Sequence, residues 1–170
     1  EPTESALVVY AENLGLKKKE LVKEYVRVEE LPFDSKRKMM STFHKFEGKY
    51  IQFVKGAPDE VLKQCVGYLQ DGKVVELTDK LKKELLGENK KLANQALRVL
   101  AAAYKEHDAI VKPLTEDGLV FIGLCGMIDP IRPEVKDAIK ECRSANIRPI
   151  MITGDHLDTA VAIAKQLNMI

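Results

Sequence analysis

The sequence predicts an α/β protein in two parts: an antiparallel sheet with helices, then a β-α-β-α half of a doubly wound sheet. Three observations predict it. Runs rich in aromatic and β-branched residues, bounded by turn residues, recur through the first part. A nearly continuous apolar run, Leu119 to Ile128, reads as a strand covered on both faces. After it, helical patterns flank one more apolar strand, the alternation of a parallel sheet. The boundary is expected near residue 118, giving parts 1–118 and 119–170.

Each element follows from local chemistry. Residues 4–14 place Ala6, Leu7, Tyr10, Ala11 and Leu14 on one helical face, and Pro2-Thr3-Glu4 supplies the start. Lys17 to Glu24 reads as a short charged helical turn. Tyr25, Val26 and Val28 lead as a strand toward Pro32 and the Asp34-Ser35 pair, which mark a turn. Met39 to Phe46 and Tyr50 to Val54 read as a hairpin joined by Glu47-Gly48-Lys49. Gly56 permits a sharp bend, and Pro58 with Asp59 and Glu60 suits the first turn of a helix running to about Cys65. Asp71-Gly72, flanked by Tyr68-Leu69-Gln70 and Val74-Val75-Glu76-Leu77, signals a type I′ hairpin. Leu81, Leu85, Leu92 and Ala96 give helical spacing over 79–97. Residues 98–104 are expected as a strand and 106–118 as a polar loop. Helix, strand and helix are then expected over 133–145, 147–152 and 156–168.

Composition excludes several classes. A chain of 170 residues can bury roughly two-thirds of its unfolded surface. The 27 Lys plus Arg against 26 Asp plus Glu leave a net charge of +1, so no strong field draws a nucleic acid. Cys65, Cys125 and Cys142 lack CxxC or Cys/His spacing, which disfavours a disulfide scaffold and a zinc site; reduced thiols are expected. No apolar run approaches the roughly 18 residues of a membrane helix, and Glu1-Pro2-Thr3-Glu4 does not resemble a signal peptide. A soluble, cytosolic piece of something longer is expected.

Common catalytic signatures fail: GxxxxGK[ST], GxGxxG, Gly-x-Ser-x-Gly and HExxH do not occur. Thr153-Gly154-Asp155 falls where a strand ends and a helix begins, at the sheet edge where such folds bind ligands. Gly154 lets backbone approach a ligand, and helix N-terminal N–H groups favour phosphate. Asp155 can cap that helix or sit near magnesium, and a plain cap explains the same residues equally well. Asp129, ahead of Pro130, Arg132 and Pro133, falls on the same edge, where a stiffened domain junction is the simpler account. Phe33, Lys38, Met40, Lys55 and Arg98 lie beside strands or turns and can form an aromatic and sulfur pocket with cationic walls, suited to a stacked base with phosphates. Taken singly, each is more often core or solvated surface.

Three segments bind these candidates together: Lys55-Gly56-Ala57-Pro58-Asp59-Glu60, Met127-Ile128-Asp129-Pro130-Ile131-Arg132, and Met151-Ile152-Thr153-Gly154-Asp155 followed by Thr159-Ala160. They resemble the KGAPE, DPxR and TGDxxxTA motifs of P-type ion-transporting ATPases, in the same order, and bacterial calcium-pump-like members most of all. The resemblance implies a nucleotide-binding domain over 1–118, N-terminally truncated, and part of a haloacid-dehalogenase-like phosphorylation domain over 119–170. It implies that Glu4 contacts the adenine amino group, Phe33 stacks on the ring, Lys38, Lys55 and Gly56 line the pocket, and Met40 packs beside the base. Arg98 would reach the phosphates, Thr153, Gly154 and Asp155 the transferred phosphoryl group, and Asp129 the hinge edge. ATP with Mg2+ is the implied ligand, the remainder of a membrane pump the implied partner, and the cytoplasmic side of a bacterial plasma membrane the implied location.

Departures from the family pattern bear on activity. No Asp-Lys-Thr-Gly-Thr and no Gly-Asp-Gly-x-Asn-Asp occurs, so the phosphate-accepting aspartate and the main magnesium site are missing and the chain alone is expected not to turn over ATP. Ser35 stands where an arginine often follows the stacking Phe, with Lys36 and Arg37 nearby. A stand-alone phosphatase of the dehalogenase type would need an Asp-x-Asp nucleophile strand, which is absent. A non-catalytic nucleotide-binding module fits the same residues.

Overall fold

Turn chemistry sets the sheet. In the computed structural model, which describes residues 2–128, 131–154 and 157–170, Glu47-Gly48 has φ of 47° and 80° and Asp71-Gly72 has 50° and 76°. Two successive positive φ angles make the type I′ turn, whose twist matches paired strands. Accordingly β2 (Met39–Phe46) folds back on β3 (Lys49–Gly56), and β4 (Cys65–Gln70) on β5 (Lys73–Glu76). β1 (Val26–Asp34) pairs antiparallel with β2, and β6 (Arg98–His107) with β3. β7 (Leu119–Met127) pairs parallel with β4, Leu119 opposite Cys65 and Phe121 opposite Tyr68. One seven-stranded sheet results, in the order β1-β2-β3-β6-β7-β4-β5.

The helices are α1 (Pro2–Asn13), α2 (Lys18–Glu24), α3 (Pro58–Gln64), α4 (Asp79–Ala93), α5 (Pro133–Ser144) and α6 (Leu157–Gln166). Four of them stop in the same way. Gly15, Ala96, Asn146 and Asn168 take positive φ, and the next residue's N–H reaches back to the carbonyls of Ala11, Leu92, Cys142 and Ala164. This is the Schellman end, in which a left-handed residue satisfies carbonyls that the helix leaves open. It explains why the helix expected over 79–97 ends at Ala93: Ala96, counted as a helical position, is the residue that reverses the chain.

The chain gathers into two compact units, Glu1–Glu84 with Leu100–Cys125, and Leu85–Val99 with Gly126–Ile170. In the first, alternation along the strands buries Met39, Phe43, Val54, Ala101, Ala103, Leu119 and Phe121, together with Val61 and Leu62 of α3. Each fully buried Val, Leu or Phe contributes about 1.5–3 kcal/mol. Two polar residues, Ser41 and Gln52, are fully buried on this face. The segment 108–118 covers them: Gln52 Nε2 donates to the Thr115 carbonyl at 2.8 Å, and Lys105 Nζ to the Asp117 carbonyl at 2.8 Å. His107 Nε2 lies 2.9 Å from Gln52 Oε1.

Three expectations need correcting. Pro32 does not end β1; the strand runs on to Asp34, because β1 is an edge and the register slips between Leu31 and Asp34, where a proline removes no ladder bond. Leu119–Cys125 does not open a separate sheet but joins the first unit through β4. Residues 147–152 form no strand, and Ile150 and Ile152 are 78% and 94% exposed. An apolar run becomes a strand only where a neighbour completes its ladder, so the doubly wound half is not formed among the described residues.

Candidate functional site

The site is assembled around the slip in β1. Asp34 closes the turn after it: its carboxylate accepts from the Lys36 and Arg37 amides at 2.9 and 3.0 Å, and those two donors hold its pKa below the usual carboxylate value. Lys38 follows with φ of 54°, its amide donating to the Asp34 carbonyl at 2.6 Å and its own carbonyl accepting from the Ala57 amide at 2.9 Å. Phe33, inside the slip, is 64% exposed, an aromatic face presented to solvent with no core role.

Beside this turn, the antiparallel register puts Met40 opposite Lys55 and Met39 opposite Gly56. Lys55 Nζ donates to both carboxylate oxygens of Glu4, on α1, at 2.5 and 2.6 Å. Both side chains remain partly exposed, so the pair contributes at most about 1 kcal/mol and can open for a ligand. Gly56 is required for space: an added Cβ would lie 2.5 Å from the Lys38 carbonyl oxygen. Lys38 Nζ is 3.8 Å from Glu60 Oε1, while Lys63 holds the same carboxylate at 2.9 Å, so Lys38 is only loosely engaged.

The structure therefore brings Glu4, Lys38, Met40, Lys55 and Gly56 together around one end of the β2–β3 hairpin, with Phe33 exposed on the neighbouring edge strand. Sequence reasoning missed what continues the Met40 face. Tyr25 stacks on Phe46 at 4.4 Å, and His44 meets Phe53 edge-on at 5.5 Å. His44 Nδ1 faces the Tyr25 carbonyl at 3.0 Å, which can only accept, so Nδ1 donates to it, and Nε2 lies 2.9 Å from the Thr42 hydroxyl. Alternation along β2 and β3 was the available signal. Arg37, near Ser35, and Glu116, within the expected polar loop 106–118, are hydrogen-bonded to each other, a pairing no local pattern signals.

The second unit holds the rest. Arg98 opens β6 and is exposed; Thr153 and Gly154 are exposed ahead of α6, and space is open around Gly154. Asp129 and Asp155 lie outside the described residues. A cavity of about 480 Å³ in this unit is lined by Ile147, Ile150, Met151 and Met169 with Arg143 and Arg148, and one of about 230 Å³ in the first unit by Phe43, His107, Ile110, Val111 and residues 113–115. Neither includes a candidate residue. Among the described residues, no group of three or more His, Cys, Asp or Glu is placed to hold a metal ion, and no helix is long and apolar enough to cross a membrane.

Residues 1–134 match the family model described as P-type ATPase, cytoplasmic domain N. The chain is 47% identical over 171 residues to calcium-transporting ATPase 1 of Bacillus cereus, covering 99% of this chain and 19% of that protein. It is 45% identical to calcium-transporting ATPase 1 of Lactococcus lactis and 42% to the calcium-transporting ATPase of Bacillus subtilis, covering 99% and 100% of this chain and 20% of each relative. The chain thus spans about a fifth of the length of these relatives. With a family model matched over most of its length, the chain belongs to the P-type cation-transporting ATPases, as a portion that includes their cytoplasmic domain N.

Proposed function

We propose that this chain binds ATP for a calcium-translocating P-type ATPase and positions it for phosphoryl transfer to an aspartate that lies outside these 170 residues. The observation that carries the reading is the grouping of Met40, Lys55 and Glu4 at the Gly56 end of the hairpin, beside the exposed Phe33. Phe33 stacks on the adenine, Met40 packs on its edge, and Glu4 accepts from the exocyclic amino group once Lys55 turns toward the phosphates. Lys38 adds a second cation to the pocket wall, and Arg98 a third to the phosphates. Residues 1–118, to whose sheet 119–125 add a strand, act as the nucleotide-binding domain and the rest of 119–170 as part of the phosphorylation domain, where Thr153, Gly154 and Asp155 meet the transferred group and Asp129 forms the hinge edge. Mg2+, which neutralises phosphate charge during transfer, would accompany the nucleotide, its protein ligands lying mostly outside this chain. The remainder of the pump, on the membrane side, is the partner, and this chain by itself does not turn over ATP.

Calorimetric titration of the chain with ATP and GTP, with and without Mg2+, tests the reading. Stacking of a base on an aromatic ring is worth about 1–3 kcal/mol. Phe33→Ala should therefore weaken ATP about tenfold or more, and Lys55→Ala should weaken ATP more than it weakens adenosine. ATP binding that is indifferent to Phe33→Ala would refute the pocket.

A further inference from the structure

Glu116 is a carboxylate that the nucleotide reading leaves unused. It sits on the 108–118 segment, is only 9% exposed, and divides its oxygens between two elements: Oε1 accepts from the Ser41 hydroxyl of β2 and Oε2 from the Arg37 guanidinium. The other terminal nitrogen of Arg37 donates to the Pro32 carbonyl at 2.7 Å. Pro32 immediately precedes Phe33, and Arg37 immediately precedes Lys38. One guanidinium thus closes both ends of the turn, and Glu116 fastens it to the sheet from 79 residues away.

The backbone explains why such a fastening is needed. Phe33 lies in the slip between Leu31 and Asp34, where the β1–β2 ladder is interrupted. Regular pairing therefore does not orient it. Asp34 braces the interior of the turn and the Ala57 amide holds the Lys38 end, while the Phe33 end is held through Pro32 by Arg37. Ser41 alternates with Met40 along β2, so Glu116 acts from the face opposite Met40 and Lys55. Charge-assisted bonds withdrawn from water are roughly twice as strong as neutral ones.

We infer that Glu116 is a positioning residue for the base: through Arg37 and the Pro32 carbonyl it sets the direction in which the Phe33 ring is presented. The inference rests on the nucleotide reading above. Titrations of the full chain with ATP and with inorganic tripolyphosphate, in wild type, Glu116→Gln and Arg37→Lys, test it alongside amide hydrogen exchange at Lys36 and Arg37. Arg37→Lys keeps the charge and cannot bridge both acceptors, so it carries the test if Glu116→Gln folds poorly. Either variant should weaken ATP about fivefold, equivalent to roughly 1 kcal/mol, leave tripolyphosphate binding unchanged and speed exchange at Lys36 and Arg37 but not at Val54. The loss should vanish when Phe33→Ala is already present. ATP binding unchanged in both variants, or a loss shared equally by tripolyphosphate, overturns the positioning role while the nucleotide reading stands. A wild-type chain that binds ATP no better than tripolyphosphate overturns the nucleotide reading, and the positioning role with it.

Discussion

Gly56→Ala puts a methyl group where the structure has no room for one. Its Cβ would lie 2.5 Å from the Lys38 carbonyl oxygen, 2.5 Å from Met39 Cβ and 2.7 Å from Met39 Cα. Two of these are backbone atoms and the third is fixed to backbone, so no rotamer change relieves the overlap. The φ of Gly56 is not among the positive values, so space alone decides the outcome. Relief requires the end of β3 to move off β2, straining the Met39–Gly56 pairing and the 2.9 Å bond from the Ala57 amide to the Lys38 carbonyl. Overpacking costs about 1–3 kcal/mol and a weakened backbone bond about 1 kcal/mol. Against them stands a gain of about 0.4–1 kcal/mol from a less flexible unfolded chain. The net loss is about 1–3.5 kcal/mol, which for a chain of this length lowers Tm by roughly 2–14 °C. Thermal unfolding followed by circular dichroism reads it. Gly87→Ala is the control: in the interior of α4 with nothing within 4 Å of its added Cβ, it should gain about 0.5–1 kcal/mol. If Gly56→Ala keeps wild-type stability while Gly87→Ala gains as expected, the β2–β3 end is loose and the proximity of Lys38, Met40 and Lys55 is not enforced by packing.

Three other outcomes follow from the same geometry. Phe33→Ala, removing a ring that is 64% exposed, should leave stability within about 0.5 kcal/mol while ATP affinity falls; a large loss of Tm would make Phe33 a core residue. Burial, with Lys105 nearby, holds His107 below its ordinary value of 6.5, so the unfolded chain binds the proton first and stability falls as pH drops below about 6.5. His107→Gln should flatten that slope in urea midpoints measured between roughly pH 5 and 7, and an unchanged slope would contradict the assignment. Burial pushes the Cys65 thiol up to about 11, so alkylation at mild alkaline pH, read by peptide mass mapping, should label the half-buried Cys125 and Cys142 well before Cys65; equal rates would show that the α3 region opens readily.

What was legible in the sequence is what neighbours along the chain decide. Asp71-Gly72 announces its turn because the requirement for positive φ is local, and Pro58 announces α3 because its fixed φ suits a first helical turn. The same logic fails where the deciding partner is remote. Leu119–Met127 and residues 147–152 read alike, as apolar strands, but only the first finds ladders, between β6 and β4, the latter some fifty residues earlier in the chain. Periodicity reports that a segment is to be covered and is silent on what covers it.

The candidate site divides along the same line. Phe33, Lys38, Met40 and Lys55 are legible as pocket candidates beside strands and turns, and Glu4 through the family resemblance, yet nothing along the chain says that Glu4 holds Lys55 across 51 positions. Glu116 was invisible for a stronger reason: an acidic residue in a polar loop reads as solvated, and only its burial against Ser41 and Arg37 gives it a role. Arg37 shows the consequence for function. Read along the chain, it is a cation close to Ser35, with nothing local to say what it holds. In the structure its two terminal nitrogens are both engaged, one by Glu116 and one by the Pro32 carbonyl. On the proposed reading Arg37 therefore serves the site by holding its backbone, and the phosphate charge would fall to Arg98 and to Lys55 and Lys38, whose own partners, Glu4 and Glu60, are partly exposed and release them at little cost.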